Sequence, residues 1–176
     1  MNTRALALAC LCIGAAHIYA SEPVSGETAE DPTLDYTVIV SGLPWEFDQL
    51  PVTMNNGEEA AVRSSRYEFV SKEPLGKTQE GSTRIKVELS VTDYATPELA
   101  EENFLLIRER ADPDMGLSYA WDYLLRQERA IYHLHTGCIV SEANFDIMLG
   151  NLTAAVSREG EGEPQALRCR CGGGCQ

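Results

Sequence analysis

Beyond the first twenty residues the chain holds two histidines, His133 and His135, in the run Tyr132-His133-Leu134-His135-Thr136-Gly137-Cys138. On a β-strand, residues i and i+2 point to one face, so both imidazoles can converge on a single point. Paired imidazoles on a strand are a common way to present a metal ion with nitrogen donors. Gly137 lets the chain turn, which can bring the Cys138 thiolate close as a further ligand. The plainer reading of the same residues is a pair of solvent-facing histidines on the outer face of a hairpin. Tyr132 and Leu134 would then point to the core.

The C-terminus carries a second set of chemical groups. Cys169 and Cys171 are followed by three glycines and Cys175. Thiolates so spaced can wrap a soft ion, because glycine lets the backbone curl around it. The full metal set would be His133, His135, Cys138, Cys169, Cys171 and Cys175, with copper or zinc as the ion. The competing reading is oxidation. Four cysteines remain once Cys10 and Cys12 are assigned to an export signal, an even number in a disulfide-permissive compartment. Cys169 and Cys171 are too close in sequence to bridge each other without strain. Two pairings are left: Cys138–Cys169 with Cys171–Cys175, or Cys138–Cys171 with Cys169–Cys175. Disulfides are the expected state, and no cofactor is expected.

Other patterns carry less chemistry. Asp112-x-Asp114-x-Gly116 resembles the start of a calcium loop, but position five is not acidic and position twelve falls on Tyr123. A helix-ending turn explains it better. Asn151-Leu152-Thr153 fits a glycosylation acceptor, although it sits inside an expected helix. Tyr119, Trp121 and Tyr123 share one strand face and are a candidate binding surface, since Trp and Tyr dominate interaction hot spots. Their plain role is core under the helices. A hydrolase could pair Cys138 with one histidine, but there is no nucleophile-elbow sequence, and no Gly-rich phosphate loop or dinucleotide fingerprint occurs.

The elements that must position these groups are legible in hydrophobic period. Tyr36 to Val40 is short and β-branched, which predicts a strand, as does Arg66 to Ser71. From Arg84 to Thr92, Ile85, Val87, Leu89 and Val91 alternate with polar residues, the mark of a sheet with one buried and one wet face. Thr96 and Pro97 then open a helix with Ala100, Phe104, Ile107 and Ala111 at helical spacing. Residues 119–126 and 130–136 predict a hairpin around Gln127-Glu128-Arg129. Ser141 caps a second helix carrying Phe145, Met148, Leu149, Leu152 and Val156. The order β-β-β-α-β-β-α implies an α+β fold: an antiparallel sheet of about five strands with both amphipathic helices on one face.

Arg4, an apolar run from Ala5 to Ala16 and Ala20 before a polar stretch make residues 1–20 an export signal, too short to span a bilayer. Residues 21–33 read as a mobile acidic leader, 34–158 as the single domain, and 159–176 as a flexible linker with a Cys/Gly-rich tail. Against 14 Lys and Arg stand 27 Asp and Glu, a net charge of −13, which argues against nucleic acid or an anionic membrane surface as partner. It favours a basic protein partner instead. The sequence therefore points to a small exported, non-catalytic binding or accessory module, periplasmic or secreted, with no stable membrane insertion after signal removal. The second reading is a soft-metal binder using the tail thiols, and the third is an unrecognised hydrolase.

Overall fold

A computed structural model describes residues 35–55, 61–78, 81–110, 120–157 and 164–175. The sequence expectations for the signal, the leader, Tyr119 and the Asp112–Gly116 turn lie outside those residues. Nine strands are described: β1 (Phe47–Gln49), β2 (Thr53–Asn55), β3 (Ala61–Ser71), β4 (Gly76–Thr78), β5 (Gly81–Thr83), β6 (Lys86–Tyr94), β7 (Ala120–Gln127), β8 (Ala130–Gly137) and β9 (Gln165–Cys169). Helix α1 spans Pro97–Arg110 and α2 spans Glu142–Val156. β4 and β5 pair with each other, while the other seven strands form one antiparallel sheet in the order β1-β3-β6-β8-β7-β9, with β2 also on β3. The fold is α+β, as expected, with two more strands in the main sheet than the sequence implied.

Period-two alternation sorts the sheet into two faces, and each face has its own helix. Val87, Leu89, Val91, Trp121, Leu125, Tyr132 and Leu134 form one core with Phe145, Met148, Leu152 and Val156 of α2. The side chains one residue out of phase, Leu124, Ile131, Tyr94 and Leu167, form a second, smaller core with Ala100 and Phe104 of α1. The helices therefore lie on opposite faces rather than on one. The reason is the pairing pattern: Leu124 and Ile131 supply an apolar patch on the otherwise polar face, large enough for α1 alone. Ile107, expected on the buried stripe, is 38% exposed.

Two further corrections concern the ends. Tyr36–Val40 is a 3-10 turn and not a strand: the Asp35 side chain accepts from the Thr37 amide, and Ile39 alone of the run is fully buried. Asn151 of α2 donates Nδ2 to the carbonyls of Ile39 and Ser41, which holds the turn against the helix. The C-terminal segment is not a loose tail. β9 pairs with β7 from Gln165 to Cys169 and forms an edge of the sheet. Arg168 reinforces it, with its guanidinium 5.8 Å from the Trp121 and Phe145 ring centroids and 2.8 Å from Asp146 Oδ1.

Candidate functional site

The hairpin β7–β8 turns through Glu128 and Arg129, with Gln127 opposite Ala130 and Glu128 at a positive φ of 48°. That two-residue turn places Asp122 directly across from His135, and Leu124 across from His133. The next strands extend the same rows. Glu88 of β6 lies across from His135, Glu68 of β3 from Glu88, and Cys169 of β9 from Asp122. One row across the sheet thus reads Glu68, Glu88, His135, Asp122, Cys169. The row beside it contains Arg66, Ser90, His133 and Leu124.

Asp122 joins both histidines. Its Oδ1 lies 2.9 Å from His133 Nε2 and 2.7 Å from His135 Nδ1. An ionised carboxylate only accepts, so the ring nitrogens donate, and this fixes the tautomers with the protons on His133 Nε2 and His135 Nδ1. Burial pushes the Asp122 carboxyl up, but the hydrogen bonds and charge of the two histidines outweigh it and hold it below the usual range. All three side chains are half-buried, with Asp122 at 23% and each histidine at 42% exposure.

Beside this triad sits an ion network. Arg66 bridges Glu68 and Glu88, and Lys86 reaches both at 3.3 and 2.7 Å. Two carboxylates directly opposite on neighbouring strands repel, and the flanking cations offset that cost. Burial raises the Glu88 carboxyl, yet Lys86, Arg66 and His135 together leave it below its ordinary value. Glu88 also raises Lys86.

The structure brings together His133 and His135 from the sequence-derived set and adds Asp122, which sequence reasoning missed. It separates the cysteines from them as ligands. Cys138 is bonded to Cys171 and Cys169 to Cys175, the second of the two expected pairings, so none of the four has a free thiolate to offer. Trp121 belongs to the main core. It is 6% exposed, donates Nε1–H to the Val140 carbonyl at 2.9 Å and stacks on Phe145. Tyr123 packs half-buried against the same core.

His133 spends Nε2 on Asp122, and no hydrogen bond among the described residues joins it to the Ser90 hydroxyl across the strand pair. What the arrangement offers is three donor atoms on one sheet face, one from each of Asp122, His133 and His135, all within 4.8 Å of one another. Comparison with known protein families, characterised proteins and solved structures gives no match. No helix among the described residues is long and apolar enough to cross a membrane.

Proposed function

We propose that this chain is an exported, disulfide-stapled binding module that works through the open half of its polar sheet face and does no covalent chemistry. The observation that supports this most is the partial cover by α1. The helix packs on Leu124, Ile131 and Leu167, while the side chains of Arg66, Glu68, Lys86, Glu88, Asp122, His133 and His135 keep between 21% and 48% of their surface exposed. Ion pairs hold Arg66, Lys86, Glu68 and Glu88 in one set, and hydrogen bonds hold Asp122, His133 and His135 in the other. A pre-organised polar face loses little side-chain freedom when a ligand docks on it. Both disulfides fit an oxidising compartment outside the cytosol. A protein partner for a chain of net charge −13 is basic, with association that weakens as salt rises.

A photo-reactive residue at Ser90, in the middle of the face, tests the reading in the native export compartment. An adduct at Ser90 that fades with added salt, and none from the exposed Ala154 position on α2, is the expected result. Equal labelling at both positions, or an adduct at Ala154 only, would sink it.

A further inference from the structure

We infer that Asp122, His133 and His135 form a site for one divalent first-row transition-metal ion, such as zinc(II), copper(II) or nickel(II). The inference rests on the open face being the ligand surface, and it names the ligand.

Three features carry it. The donors are two imidazole nitrogens and one carboxylate oxygen, a set suited to borderline ions. Hard calcium and magnesium take six or more oxygens, and soft copper(I) favours sulfur, which the disulfides have removed. The donor positions are already close to those around an ion. With bonds of about 2.0–2.1 Å, tetrahedral donors stand about 3.3 Å apart. The two N···O separations are 2.9 and 2.7 Å, so each must open by about half an ångström. The histidines come from one strand and the aspartate from its hairpin partner, so the backbone ladder sets the donors' spacing before any ion arrives.

In the metal-free protein the place of the ion is held by two N–H···O hydrogen bonds. For the ion to take His133 Nε2 and His135 Nδ1, each ring proton moves to the other nitrogen of the same imidazole. Neutral histidines therefore bind with no net proton release. Three protein donors leave at least one position to water or to a donor from outside. Glu88, across from His135, is held by Lys86 and Arg66 and serves as a nearby negative charge rather than as a fourth ligand.

The test uses the full oxidised chain with zinc, copper(II) or nickel salts, read by native mass spectrometry and by titration calorimetry, with magnesium as control. One ion per chain is expected, with affinity lowered about 10- to 100-fold or more in Asp122→Asn and in His135→Gln. Alkylation without reductant should leave Cys138, Cys169, Cys171 and Cys175 unmodified in the metal-bound protein. Thermal melts of both variants show whether each remains folded. The inference is overturned if no ion binds, if magnesium binds as well as zinc, or if a folded His135→Gln binds as tightly as the parent chain. In each of those cases the Ser90 adduct still decides the proposed function separately.

Discussion

At the scale of the residue, Asp122 has more partners on this face than either histidine. Replacing it with Ala removes the acceptor for two ring N–H groups, and the loss in stability is expected at about 1–2 kcal/mol, small because all three groups reach water. Urea unfolding at pH 7 measures it. Trp121→Phe is expected to cost about 1–2 kcal/mol, since it leaves the Val140 carbonyl without its donor in a buried place. Glu88 gives a pH dependence with a definite sign. Its carboxyl titrates lower in the folded protein than in the unfolded chain, so its contribution is present at neutral pH and above the ordinary carboxylate range. It is lost as pH falls through the lowered value. The stability gap between the parent protein and Glu88→Gln should therefore shrink from pH 6 to pH 3; a gap that stays constant would refute the ion network as its source. The histidine pair was legible from period two alone. Asp122 was not, because a hairpin turn read as three residues shifts the register by one and sends its side chain to the wrong strand neighbours.

At the scale of the element, the 3-10 turn at Tyr36–Val40 shows tertiary contacts overriding a β-branched run. A strand there would have needed an edge to pair with. Instead the segment buries Ile39 and surrenders two carbonyls to Asn151. Asn151→Ala is expected to lower stability by about 1–2 kcal/mol, and Ile39→Ala by about 2–4 kcal/mol, measured by denaturant midpoint. The same Asn151 contacts also occupy the nitrogen a glycan would need, so the Asn-Leu-Thr pattern is structural in this fold. The two helices were legible in start and period, as Thr96 accepting from the Leu99 amide and Ser141 from the Asn144 amide confirm. Their placement on opposite faces was not, because each stripe says that it is buried and not against which side of the sheet. β9 was missed for a related reason: only Ala166 to Cys169 carries any alternation, and the glycines and arginines around it resemble a linker.

At the scale of the whole molecule, the two disulfides contribute unequally. Cys138–Cys171 closes a separation of 33 residues, and Cys169–Cys175 one of 6. Chain-entropy arguments give about 3–4 kcal/mol for the first and about 2 kcal/mol for the second. Cys138→Ser should therefore unfold at clearly lower denaturant than Cys175→Ser, and the reverse order would show that the short loop acts through the folded state. Neither bond is needed to create the sheet, whose main core is apolar and continuous.

The position of β9 has a bearing on how the chain folds as it is made. It is last in sequence and outermost in the sheet, and the Cys175 end folds back to bridge Cys169 on its far side. As the chain emerges from the N-terminus onward, the outer edge of β7 therefore waits, unpaired, until β9 arrives. In that interval the nascent sheet offers a ready template to any neighbouring chain. Formation of the Cys169–Cys175 bond thus also helps to close the window for misassembly, and slow oxidation would show as aggregate.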